Sequence, residues 1–227
     1  MITLIGVVHV FDIREKVENA LLRINPDLVC IELDRARYQA LINKSRKKKS
    51  PIIYRMLSAF QKEIAKRYNT KVGEEMLVAI DTAKKIKADV AFIDANAMQV
   101  FHKIWSKMRV KEKLKFIFGA FGGLFMRKER VEKEISNFEK NYDQYMNIFK
   151  TEFPTVKNVL IDERDRYMAN AIKKLSEKYK NIVAVVGDGH IVGIKKELKD
   201  FKVNIIRLNE LRNMSNASIT YHFTVDN

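Results

Sequence analysis

Cysteine is almost absent: Cys30 stands alone, so no internal disulfide framework can form and a reducing, cytoplasmic setting is expected. It lies inside the apolar run Leu28–Leu33 and reads as core filling rather than as a nucleophile. Long hydrophobic runs are missing too. The two longest, Met1–Val10 and Phe116–Phe125, reach about half of the roughly 18 residues that a membrane-spanning helix needs. Met1–Val10 has neither a basic leader nor a small-residue cleavage site, and reads as a strand rather than a signal peptide. Zinc-finger spacing, a basic zipper and an RNA-binding aromatic signature are all lacking, which counts against a protein that reads nucleic-acid sequence. Three prolines and eight glycines in 227 residues leave no low-complexity linker, and there are no internal repeats. Acidic residues are comparatively few.

What is present is ordinary globular material, 47% hydrophobic and 31% charged, enough for a single domain spanning 1–227. Against 28 acidic residues stand 43 basic ones, for a net charge of +15. The excess gathers at Lys44–Lys49 and between Lys103 and Arg130. Plain solvation is the simplest reading. A polyanion or an acidic membrane surface is the partner that Lys44–Lys49 would suit.

Along the chain, continuous apolar runs at Thr3–Val10, Leu28–Leu33, Val90–Asp94, Ile182–Val186 and Lys202–Leu208 read as strands, most of them buried on both faces. Helical patterns fall between them: Ile13–Ile24 stopped by Asn25-Pro26, a helix capped by Asp34, one opened by Pro51, and one following Gly73. From Met98 to Tyr179 the pattern is almost wholly helical, divided at Pro154. The alternation predicts an α/β fold with a central mixed β-sheet flanked by helices and a largely helical insertion at about 98–150. The polar tail carries a β-like stretch, Ser218–Val225, and His222 within it reads as incidental.

Open α/β sheets bind ligands beyond the carboxyl ends of their strands. His9, Glu32 and His190 fall at such ends, each read as following a hydrophobic run within a residue or two. Gly6 and Gly187 stand three residues before a histidine, where glycine lets the backbone bend and present the imidazole. Two histidines and a carboxylate form a common open metal set, or a set for moving protons. The plainer alternative is a pair of hydrogen-bonded structural histidines. After Pro154, Leu160, Met168, Ile172, Leu175 and Tyr179 make a core-facing stripe; Arg164 falls on it, and Glu163 and Tyr167 flank it. Glu163 and Arg164 either serve a site or pair with each other or Asp165. Asp94 either faces the same edge or caps the next helix, and His102 beside Trp105 reads as structural. Phe116–Phe125, between basic residues, reads as core, with a membrane contact or a lid as the other options.

Gly6-Val7-Val8-His9, Glu32-Leu33-Asp34 with Arg37-Tyr38, Gly73-Glu74-Glu75-Met76, Ile161-Asp162-Glu163-Arg164-Asp165 and Val185-Val186-Gly187-Asp188-Gly189-His190 occur in the order found in TraB-domain, pheromone-shutdown proteins, and over Met1 to Arg212 the sequence resembles that family. The wider group includes GumN and Tiki proteins and is similar in fold to the erythromycin esterases. The resemblance implies an erythromycin-esterase/Tiki-like fold and a site of His9, Glu32, Glu163, Arg164 and His190. It also implies a metal-dependent peptidase, as Tiki proteins are regarded. The sequence departs from the pattern at Val7-Val8, where a threonine or serine is usual before the histidine, and at Asp94-Ala95-Asn96, where an Asp-Arg-Asp run is frequent.

Together these readings give a metal-dependent hydrolase acting on peptides. His9, Glu32 and His190 would hold a divalent ion (manganese, cobalt or zinc) that acidifies a water. Glu32 or Glu163 would take the proton, Arg164 would steady an oxyanion, and Arg37, Asp94 and Tyr167 would contact substrate. The alternatives are a non-catalytic protein that sequesters a peptide or small ligand, and a basic surface protein for nucleic acid or acidic lipid. Steep loss of binding with added salt would mark the last of these.

Overall fold

The computed structural model describes residues 1–8, 12–42, 73–115, 147 and 150–214. His9, Lys44–Lys49, the Pro51 helix, Phe116–Phe125, Ser218–Val225 and His222 lie outside the described residues.

Five strands form the described sheet: β1 (Ile2–Val7), β2 (Leu28–Ile31), β3 (Asp89–Phe92), β4 (Ile182–Gly187) and β5 (Val203–Ile206). Their order is β3-β2-β4-β1-β5, and all four pairings are parallel. The α/β class is as predicted. Among the described residues the sheet is parallel rather than mixed, because helices link the described strands, and a crossover returns the chain in the same direction where a hairpin would reverse it. The helices are α1 (Arg14–Ile24), α2 (Arg35–Ile42), α3 (Glu74–Lys85), α4 (Ala97–Lys107), α5 (Pro154–Lys157), α6 (Glu163–Ser176), α7 (Ile191–Glu197) and α8 (Leu208–Asn213).

Local chemistry sets the ends. Asn25 closes α1 in the left-handed conformation, its N–H donating to Leu21 O, just before Pro26 forbids further helix. Asp34 caps α2 by accepting from the N–H groups of Ala36 and Arg37, both at 2.9 Å.

Alternate strand residues feed two cores. Ile5, Val7, Val29, Ile31, Val183 and Val185 pack with α1 and α3 on one face. Leu4, Leu28, Cys30, Ile182, Ala184 and Val186 pack with α6 and α7 on the other. Every strand of the central three is therefore buried on both faces, as an apolar run without alternation requires. Burial pushes the Cys30 thiol up to about 12 and leaves it inert.

Between α5 and α6 the backbone takes a π-turn at Asn158–Asp162. A turn holding more than 3.6 residues breaks the phase of a stripe counted back from Met168. Leu160, expected in the core, is thus 37% exposed, while Val159 and Val156 are buried with Ile104 and Met108 in a third small cluster.

The topology also marks a candidate binding edge. β1 leaves through α1 toward β2 on one face, whereas β4 leaves through α7 toward β5 on the other. Adjacent β1 and β4, with Val7 in register with Gly187, form the point where the winding reverses. Ligands of such sheets bind outside the strand ends at this point. Ile172→Ala, at a fully buried α6 position, should cost about 2–5 kcal/mol by chemical denaturation. Val192→Ala, at a 61% exposed position on α7, should change stability by less than about 0.5 kcal/mol.

Candidate functional site

At the carboxyl edge the strand ends deliver Glu32 after β2, Asp94 after β3, and His190 three residues after β4. The Glu32 N–H still donates to Val185 O at 3.1 Å, which fixes its backbone to β4. Its side chain falls on the α6 and α7 face, where Gly187 N–H donates to Oε2 at 2.5 Å and Arg164 Nη2 donates to Oε1. A Cβ on Gly187 would stand 3.2 Å from that carboxylate, so the absence of a side chain admits it.

Arg164 reaches down from the first turn of α6. Nε donates to Asp94 Oδ1 at 2.9 Å, Nη2 to Asp94 Oδ2 at 2.8 Å, and Nη1 to Leu160 O at 3.1 Å. Nη1 also lies 3.0 Å from His190 Nε2. Asp94 accepts in addition from Ala95 N–H at 2.8 Å and from Arg37 Nη2, so one carboxylate bridges two arginines. Arg37 is anchored in turn on Asp34 Oδ2 at 2.9 Å.

Behind His190 stands Asp165, with Oδ1 2.6 Å from Nδ1. The approach of α6 to α7 depends on Gly193, where a Cβ would lie 1.9 Å from Asp165 Oδ2. Across β1, Asp188 accepts from Arg207 at 2.6 and 3.0 Å and from Leu208 N–H at 2.9 Å. Gly6 leaves room for that carboxylate, since a Cβ there would sit 2.2 Å from Asp188 Oδ1.

The electrostatics follow from burial opposed by pairing. Burial pushes the Glu32 carboxyl up, but His190, Arg164 and the Gly187 N–H outweigh it and hold Glu32 far below the usual carboxylate range. Burial opposes charge on Arg164, and the carboxylates of Asp94 and Glu32 prevail, raising its pKa further. Burial also disfavours a charged His190, but Asp165 and Glu32 raise it to about 9. Asp165 itself is raised, by burial first, with His190 pulling the other way. With the ring neutral, Nδ1–H donates to Asp165 and Nε2 accepts from Arg164. Once the ring is protonated, Nε2–H turns to Glu32 Oε1, 3.4 Å away, and Arg164 Nη1 keeps Leu160 O.

The structure therefore brings Glu32, Arg164, His190, Asp94 and Arg37 into one hydrogen-bonded cluster. Glu163 goes elsewhere: it pairs with Lys103 at 2.6 Å and Lys107 at 3.4 Å on α4, and these lysines overcome burial to lower its pKa. One residue along a helix is about 100° of rotation, so Glu163 and Arg164 cannot share a direction. Tyr167 is 54% exposed on α6. His9 lies outside the described residues.

Asp165, Asp34, Asp188 and Arg207 were not singled out from the sequence as site residues. Gly193 was the available signal for Asp165. A glycine inside a short helix is costly unless something must come close.

Among the described residues, no group of three or more His, Cys, Asp or Glu side chains is arranged to hold a metal. The two described members of the expected metal set, Glu32 and His190, both face the Arg164 guanidinium. In this arrangement they do not fit a divalent ion.

A family model for TraB/PrgY/gumN proteins matches residues 1–204. The chain belongs to the TraB/PrgY/gumN family. An uncharacterized protein of Methanocaldococcus jannaschii is 33% identical to this TraB-family chain, covering 87% of it and 53% of the relative. The chain thus spans about half the length of that relative. A solved structure titled for cofacial heme binding to ChaN of Campylobacter jejuni aligns over 91% of this chain and 80% of its own, at 14% identity and a TM-score of 0.41. No described helix of this TraB-family chain is long and apolar enough to cross a membrane.

Two outcomes are expected at this cluster. A histidine whose pKa rises from its ordinary value to about 9 on folding adds stability that is full below pH 6.5 and is lost as pH climbs through 9. Between these limits the loss should be on the order of 3 kcal/mol, read from denaturation midpoints, and His190→Asn should flatten the profile. Gly193→Ala should cost about 1–3 kcal/mol by forcing Asp165 off the imidazole.

Proposed function

We propose that this TraB-family chain is a hydrolase of peptides, with Glu32 and His190 as its proton-handling pair and Arg164 as the anchor for developing negative charge. The observation that supports it most is the convergence of Glu32 Oε1 and His190 Nε2, 3.4 Å apart, beside the strands where the winding reverses.

In this reading a substrate carbonyl replaces the imidazole at Arg164 Nη1, and the guanidinium then faces the oxyanion as it forms. Water attacks the carbonyl carbon and Glu32 takes its proton. The His190 imidazolium gives its Nε2 proton to the departing amine, while Asp165 holds Nδ1–H and keeps the ring aimed. Drawing Arg164 onto the substrate loosens its hold on Glu32, which raises that carboxyl from its depressed value and makes it a better base. Glu163, neutralised by two lysines outside the cluster, has no part in this scheme.

A second reading has its own support. The charged groups of the cluster satisfy one another without substrate, as suits a protein that only holds a peptide or small ligand.

The test is a peptide library incubated with the full chain, with new amino termini read by mass spectrometry. Cleavage should fall by about 10²-fold or more in both Glu32→Gln and His190→Asn. His102→Ala, exposed on α4, should leave it unchanged. Peptides that bind but stay intact would decide for sequestration.

A further inference from the structure

We infer that Arg164 is the resident cation of this site: its guanidinium stands where a divalent ion would be held, and the site takes up metal only when that group is removed. The inference concerns the same cluster as the proposed function but does not depend on turnover.

A guanidinium has five N–H donors in a fixed plane. In Arg164, Nε faces Asp94 Oδ1, Nη2 faces Asp94 Oδ2 and Glu32 Oε1, and Nη1 faces Leu160 O and His190 Nε2. With the ring neutral every donor has an acceptor, and four of the five acceptor atoms belong to two carboxylates and an imidazole. That is the donor set a borderline divalent metal selects.

An ion bound at Glu32 Oε1 and His190 Nε2 would sit about 2.0–2.2 Å from each. Nη1 already lies 3.0 Å from that same nitrogen, so ion and guanidinium would overlap. Nor is the nitrogen's lone pair free in either state of the ring. It accepts from Arg164 when the ring is neutral and carries a proton toward Glu32 when it is charged.

Arginine cannot give way by losing its charge. It could only swing out, and that would strip Asp94, whose side chain is 2% exposed, of its two-pronged partner. The π-turn blocks this route further, since it presents Leu160 O as a backbone hold on Nη1. Cation and anions here are therefore matched by covalent design, where a metal site would be matched by an exchangeable ion.

The experiment uses the full chain without a histidine tag, incubated with manganese, cobalt or zinc and then dialysed. Metal per chain and melting temperature are the two readouts. The wild type should retain no ion and show an unshifted melt. Arg164→Met keeps the aliphatic stem and uncovers Glu32, Asp94 and His190. It should retain about one ion per chain and melt higher with metal than without, and His190→Asn in that background should abolish both effects. An Arg164→Met chain that folds only when metal is added supports the inference equally. A wild type that keeps about one ion per chain, lost in His190→Asn, overturns it, as does an Arg164→Met chain, folded or not, that no metal binds.

Discussion

A largely buried guanidinium imposes a strict condition on its surroundings, because it stays charged at any accessible pH and cannot be left unpaired. Arg164 meets the condition by drawing on four pieces of chain far apart in sequence: Glu32 beyond β2, Asp94 beyond β3, Leu160 in the π-turn and His190 beyond β4. None of these groups is placed by its own element alone. The strand order brings the three strand ends to one edge, and α6 supplies the counter-charge from above. Breaking one partner leaves the rest with uncompensated charge, so the cluster behaves as a unit and its members cannot be weighed separately.

Much of this was legible in the sequence, for definite reasons. Glu32 and His190 stand just past runs apolar enough to be strands buried on both faces, and parallel sheets place such residues at a common edge. Arg164 was visible as a charge at the centre of an apolar helical stripe. Glu163 misleads because adjacency in sequence looks like adjacency in space, whereas one helical step points it at Lys103 and Lys107. Asp165 hides for the opposite reason. A first-turn aspartate among Arg and Glu looks like solvated surface, and only the glycine facing it from α7 betrays the contact. Among the described strands the pairing is parallel where a mixed sheet is expected, since apolar runs say where strands are and not which way they run. The π-turn carries no pattern of its own and shows only as a stripe that fails at Leu160.

Belonging to the TraB/PrgY/gumN family fixes the frame of the molecule rather than its reaction. The chain covers 53% of the relative from Methanocaldococcus jannaschii, and that relative is itself uncharacterized. The weight of a functional reading therefore rests on the chemistry of the edge. That edge has two linked parts: a carboxylate–imidazole part at Glu32, His190 and Asp165, and a pair of arginines, Arg164 and Arg37, joined by Asp94.

The π-turn gives the arrangement a mechanical side. Val156 on its amino-terminal flank and Val159 within it are packed against Ile104 and Met108 at the end of α4, whereas Met168 and Ile172 beyond it belong to the sheet core. Arg164, in the first turn of α6, lies between these two bodies, with Nη1 tied to Leu160 O in the π-turn. The guanidinium is thus the joint between the two bodies, bound to the turn through Leu160 O and to the strand ends through Glu32 and Asp94.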